Sequence, residues 1–232
     1  MTTTTTRSVL ITGFGPFPGV AENVSATLAS RLAETARQRW PVHQFTSAVL
    51  PTEWHAGPAT LDRLWTSTRP DIALHFGVAA EACGLQLEAV GSNQCRIDPD
   101  AAGLLPLTAT WRADGPQICQ SSLPLGPIRQ ALQAMGLPSC ISEDAGAYLC
   151  NAVLYDSAHR AAACGRPTLA GFVHIPTVLG ESDTDTHRLS FADAVTGGLT
   201  ILACSLDALD KMGGKAPNVV LAERPREENR RG

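Results

Sequence analysis

"VLITGFGPFPG", residues 9–19, runs from a short apolar segment into a turn crowded with glycine, proline and phenylalanine. The segment that follows, "ENVSATLASRLAETARQRW" (22–40), carries Leu28, Leu32 and Ala36 at helical spacing behind a cap at Asn23 or Ser25. Strand, turn and helix in that order open an α/β layer structure. Outward from it the same alternation continues. Strands are predicted at 42–50, 71–78, 85–90 and 169–176, and helices around 54–67, 126–136, 148–165 and 189–209, the last with a weak point at Gly197–Gly198. This pattern predicts a three-layer α/β/α fold around a mixed, mostly parallel central sheet. It fits a single domain over residues 7–212, with a disordered threonine tail at 1–6 and a flexible tail at 213–232.

The chain has 232 residues, enough to bury a substantial core, and a formal net charge of −4. Its basic residues are scattered apart from the extreme C-terminus, so no clustered cationic face for nucleic acid is expected. No apolar run approaches the roughly 20 residues that span a bilayer, and the opening "MTTTTT" lacks the features of a secretory leader. Cytoplasmic residence is the default reading, with no membrane partner. Seven cysteines with no CxxC pair argue against both a disulfide framework and a zinc site. Most are read as free, buried thiols.

A glycine-rich turn after a first strand raises the question of a phosphate cradle, which needs free backbone N–H groups at a helix start. Pro16 and Pro18 each remove a donor, the spacing is not G-x-G-x-x-G, and no GK[ST] follows. Phe14 and Phe17, three apart in a stiff turn, suit an apolar ligand wall or an ordinary core.

Three residues carry candidate chemistry. Cys150, in "SEDAGAYLCNAVLY", lies near the start of a predicted helix, where the N-terminal end of the dipole favours a thiolate. Cys164, at the far end of that helix, reads as a buried thiol. His174 ends the apolar strand "LAGFVHIP", and strand ends in open α/β sheets are where sites collect. It is a candidate base for the thiol. Of the other histidines, His75 reads as buried structure, and His43, His55, His159 and His187 as peripheral. Glu88 interrupts "LQLEAV" on the same face as Gln86, an expensive place for a carboxylate unless it is paired or that face is solvated. A Cys–His–Glu trio is permitted by these residues and not required by them.

Together these stretches resemble the pyroglutamyl-peptidase I family of cysteine peptidases over almost the whole chain, from Val9 to about Asp210. The opening strand with its T-G-F-x-P-F turn and Asn-x-Ser, the glutamate segment "HFGVAAEACGLQLEAVGSNQCRIDPDAAGLLP", the block S-x-x-A-G-x-Y-x-C-N and the strand "LAGFVHIP" follow in the family's order. The resemblance implies a nucleophile at Cys150, a general base and acid at His174 and an orienting carboxylate at Glu88. It implies a pocket for a five-membered lactam from Phe14, Phe17, Asn23, Val78, Tyr148 and Leu149. The implied substrates are peptides with an N-terminal pyroglutamate, with no metal or organic cofactor and with assembly as a homodimer or homotetramer.

The chain departs from the family pattern in several places. Pro18 stands where glycine is usual, Val24 follows Asn23 in place of proline, and Ala89 follows Glu88 where many relatives are basic. Val78 occupies a site that is glutamine in some relatives, and "RIDPDAAG" carries an extra residue. Two rival readings are a homologue of the same architecture that binds without catalysing, and a phosphorylase-like or nucleotide-binding α/β enzyme.

Overall fold

The computed structural model describes residues 5–180, 189–213 and 221–222. Alternating side chains give each central strand two apolar faces. In β1 (Ser8–Phe14), Val9 and Ile11 enter one core while Leu10 and Phe14 enter another. β3 (Ile72–Ala79) divides its residues the same way, with Ile72, Leu74 and Phe76 opposed by Ala73. In β8 (Leu169–Pro176), Val173 and Ile175 are opposed by Ala170 and Phe172. Strands buried on both faces in this manner belong to the middle of an α/β sandwich.

Three further strands complete the main sheet: β2 (Gln44–Leu50), β4 (Leu85–Glu88) and β7 (Ser139–Ser142). The order is β2-β1-β3-β8-β4-β7. Every neighbouring pair is parallel except β4 with β8. Helices α1 (Val24–Arg39), α3 (Leu125–Ala134) and α5 (Phe191–Met212) cover the face of Val9 and Ile11 through Leu28, Leu32, Ile128, Leu132, Ile201 and Leu202. Helices α2 (Ala56–Thr68) and α4 (Leu149–Ala163) cover the other through Leu61, Trp65, Leu149, Ala152 and Val153. The result is the three-layer fold that the alternation predicts.

Some elements differ from the sequence reading. "LQLEAV" is not one strand. Ala89 gives its N–H to Ser142 O in the main sheet and its carbonyl to Ser121 N, so the chain changes sheets there. β5 (Val90–Ser92) then pairs with β6 (Ile118–Gln120), which pairs with β9 (Leu221–Ala222), in a small antiparallel sheet against α4. β9 falls within the span read as a tail. Residues 1–4, 181–188 (with His187), 214–220 and 223–232 lie outside the described residues.

The glycine pair in α5 is a packing device and not a break. A Cβ on Gly197 would meet Leu85 Cδ1 at 2.2 Å, and one on Gly198 would meet Leu32 Cδ2 at 2.7 Å. By length and composition α5 would suit a membrane span, but Ile201, Leu202 and Leu209 are buried in the core. The cysteines are all free, yet only Cys95 and Cys119 are buried, while Cys83, Cys140 and Cys164 are exposed. Cys164 caps the C-terminal end of α4, where the chain leaves the core.

Candidate active site

The antiparallel β4–β8 ladder sets His174 opposite Gln86, and the two-residue period puts Glu88 on the same side of the sheet. That is the side covered by α4. Glu88 is fully buried, which rules out the solvated strand face, and its Oε1 lies 2.7 Å from His174 Nδ1. A carboxylate only accepts hydrogen bonds, so the shared proton belongs to Nδ1 and Nε2 is left for the opposite side.

On that side stands Cys150, the second residue of α4, on the same cavity as the imidazole and near enough for its sulfur to act on the ring's charge. Burial of the ring opposes a charge on it. The Cys150 sulfur and the Glu88 carboxylate outweigh burial and raise the His174 pKa to about 10. The close approach of sulfur to sheet depends on Gly77, which pairs with His174 across β3 and β8. A Cβ at Gly77 would stand 2.8 Å from Cys150 Sγ.

α4 differs from α1 and α5 at its start. Asn23 caps α1 by accepting from Ser25 N, and Ser190 caps α5 by accepting from Asp193 N, whereas Tyr148 makes no side-chain cap bond. The orphan N–H groups of the first turn, beside Cys150, are a ready site for negative charge.

A pocket of about 330 Å³ opens beside Cys150 and His174. Phe14, Phe17, Asn23, Val78, Tyr148 and Leu149 all line it, so every expected pocket position reaches the same cavity, and Glu88 lies behind the imidazole. Phe14 is buried and its ring leans on Phe172, while Phe17 is half-buried at the rim. The turn that carries them is well pinned. Gly15 accepts from Asn23 Nδ2 and Thr52 Oγ1, and Phe14 N donates to Ser25 Oγ. Phe17 and Val20 exchange backbone bonds around Pro18 and Gly19, whose φ is +86°. Proline followed by a left-handed glycine suits a type II turn, so Pro18 fits where the family pattern has glycine.

The opposite wall rests on residues that the sequence reading did not single out. Trp54 meets the Tyr148 ring edge-on at 5.0 Å, and Tyr148 Oη donates to Pro99 O. Asp100 is buried and accepts from the backbone N–H groups of Trp54, Ala102 and Leu104. Burial would raise its pKa, and those three bonds pull it below the usual carboxylate value. Asn151 clamps Ser92 through both its N–H and its carbonyl, tying the start of α4 to β5. Arg96 reaches the pocket mouth, paired with Asp98 and standing over the Tyr148 ring. Their nearest sequence signal was adjacency to the cysteine and glutamate blocks, which says nothing of direction.

His75 is fully buried between Thr12 Oγ1 at 2.7 Å and Ser157 Oγ at 2.9 Å, the structural role read for it. Among the described residues no three His, Cys, Asp or Glu side chains gather as a metal site.

Comparison with known proteins bears on this geometry. The sequence profile of the pyroglutamyl peptidase family matches residues 7–203. Pyrrolidone-carboxylate peptidase 1 of Ralstonia nicotianae is 34% identical over 197 residues, covering 84% of this chain and 90% of its own length. The Pyrococcus furiosus pyrrolidone-carboxylate peptidase is 33% identical over 172 residues, covering 73% and 81%. A mutant form of the pyrrolidone carboxyl peptidase from that hyperthermophile superposes with a TM-score of 0.78 at 28% identity, over 87% of this chain and 99% of the other. Pyroglutamyl peptidase I from Bacillus amyloliquefaciens gives 0.77 at 25% identity, over 87% and 96%.

Proposed function

Because this chain belongs to the pyroglutamyl peptidase family, we propose that it removes N-terminal pyroglutamyl residues from peptides, with Cys150 as nucleophile, His174 as base and acid, and Glu88 as the carboxylate that orients His174. The observation that carries this reading is the buried Glu88–His174 hydrogen bond, with Cys150 beside the same imidazole at the uncapped start of α4 and an aromatic-walled pocket next to both.

His174 takes the Cys150 proton, and the resulting thiolate attacks the carbonyl that joins the lactam to the next residue. Negative charge moves onto the carbonyl oxygen, where the free N–H groups of the first turn of α4 receive it. One such donor is worth about 3 kcal/mol in the transition state. His174 then gives its proton to the leaving amine, and water cleaves the thioester. The imidazolium formed on the way is stabilised by Glu88, whose place behind the ring keeps it out of the substrate's path.

The pocket wall supports selection of a flat, neutral ring. Phe14, Phe17, Val78 and Leu149 are apolar, and no carboxylate lines the cavity among the described residues. An N-terminal glutamate would bring an ammonium into it, with no carboxylate among the described wall residues to meet that charge. Proline would leave amide donors unmatched, at about 1–3 kcal/mol each.

Seven free thiols, three of them exposed, suit a reducing cytoplasm. Assembly as a homodimer or homotetramer remains part of this proposal and is measured by light scattering. Fluorogenic coumarin amides test the activity. Pyroglutamyl amide should turn over at least about 30-fold faster than prolyl amide, from two unmatched contacts at the cost above. Equal rates on both contradict the reading.

A further inference from the structure

The carboxylate behind His174 is itself held from the side. Gln86 faces His174 directly across the β4–β8 ladder. Its Nε2 donates to Glu88 Oε1 at 2.8 Å, the same oxygen that lies 2.7 Å from His174 Nδ1. The other oxygen, Oε2, is buried and has no hydrogen-bond partner among the described residues. The hydrogen bonds found for this fully buried carboxylate therefore converge on one atom, and Gln86 supplies one of the two.

We propose that Gln86 is a positioning residue for the peptidase reaction, holding Glu88 by its Oε1 so that the carboxylate keeps His174 oriented and supports its imidazolium. This deepens the Cys150–His174–Glu88 reading and rests on it. An N–H donated to a carboxylate favours the charged form without adding a competing charge. It also fixes which oxygen meets the ring. Without it, a side chain with three torsions is anchored by the imidazole alone, the group it is meant to steady. Gln86 forms no part of the pocket wall, so its effect reaches the substrate only through Glu88 and His174.

The titratable and charged groups around this triangle are few. Cys150 meets the ring from α4. Cys140 of β7 lies in register on the far side of Gln86, with Cys83 near it, and burial followed by the Glu88 charge pushes its thiol up. Tyr148, with Arg96 over its ring, stands on the Cys150 side.

The experiment compares full pH profiles of kcat and kcat/KM on the pyroglutamyl coumarin amide for wild type, Gln86→Met, Gln86→Glu and Cys150→Ala. Gln86→Met keeps the length and removes the donor. It should lower kcat about tenfold with KM within about twofold, because a less firmly held Glu88 orients the imidazole for less of the time. Gln86→Glu donates only while its own carboxyl is protonated, so its activity relative to wild type should fall as pH rises. General loosening of the strand would not produce that pH-dependent ratio. A Gln86→Met profile that overlays wild type, with kcat unchanged, overturns the proposal. Should Gln86→Met show no cooperative melt, the Gln86→Glu ratio decides, and a ratio independent of pH overturns it. Loss of activity in Cys150→Ala beside an unchanged Gln86→Met removes the role of Gln86 alone. Activity retained in Cys150→Ala removes the reading of the whole site.

Discussion

Gly77 faces Cys150 so closely that a Cβ on the glycine would lie 2.8 Å from the sulfur and 2.7 Å from Cζ of Phe172. The glycine is in an ordinary strand, so the constraint is one of space and not of backbone conformation. Gly77→Ala should therefore push the sulfur away from His174 and strain the Phe172 ring. Overpacking of this kind costs about 1–3 kcal/mol. A displacement approaching 1 Å at a reacting atom lowers the rate about 100-fold. Thermal melting and kcat/KM check the two effects, and a variant with wild-type kcat/KM would show that the sulfur has room to spare.

His174, raised against burial by the Cys150 sulfur and then by the Glu88 carboxylate, sets the alkaline side of the pH profile. His174 has its pKa raised to about 10 against an ordinary 6.5. Its stabilising contribution to the fold is thus complete below pH 6.5 and is lost as pH rises through about 10. Activity that needs the imidazolium should persist well above pH 7 and decline on the same limb. Glu88→Gln removes the negative charge, so the limb should move to lower pH and kcat fall by about 100-fold or more. An unshifted limb in Glu88→Gln would contradict the role given to that carboxylate.

Acid should act through a different histidine. His75 is buried between Thr12 and Ser157, and desolvation lowers its pKa to about 3. As pH falls below 6.5 the unfolded chain binds a proton that the folded protein refuses. Stability then drops by up to about 1.4 kcal/mol per pH unit until pH approaches 3. The carboxylate of Asp100 adds to acid lability only below about pH 4. Denaturant melts between pH 7 and 4 should therefore show a slope that becomes clearly shallower in His75→Gln, whose neutral amide does not titrate, with the remainder from His43 and His159, which burial also lowers. A slope of equal size in that variant would place the acid sensitivity elsewhere.

The layers were legible in the sequence because their signals are local, whereas the Cys150, His174 and Glu88 trio was only permitted by its residues and was drawn together by the family resemblance. Doubly apolar strands such as "VLITGF" and "LAGFVHIP" have no other comfortable place than the middle of a sandwich. A glutamate inside "LQLEAV" and a histidine at a strand end are conspicuous for the same reason. What the sequence hid depends on pairing. The break at Ala89 follows from its N–H and carbonyl serving two different sheets, and no residue pattern announces that. β6 and β7 are three and four residues long, too short for periodicity to register. Gly77, Asn151 and Asp100 matter through partners 46 to 97 positions away, from Asp100 with Trp54 to Gly77 with His174, and only the assembled chain supplies those neighbours.

The most direct test is hydrolysis of a pyroglutamyl coumarin amide by wild type and by Cys150→Ala, with Cys164→Ala as the control for loss of a thiol outside the site. Wild type and Cys164→Ala should release coumarin at matching rates, while Cys150→Ala should show none above the uncatalysed background. Turnover by Cys150→Ala at the wild-type rate would contradict the account.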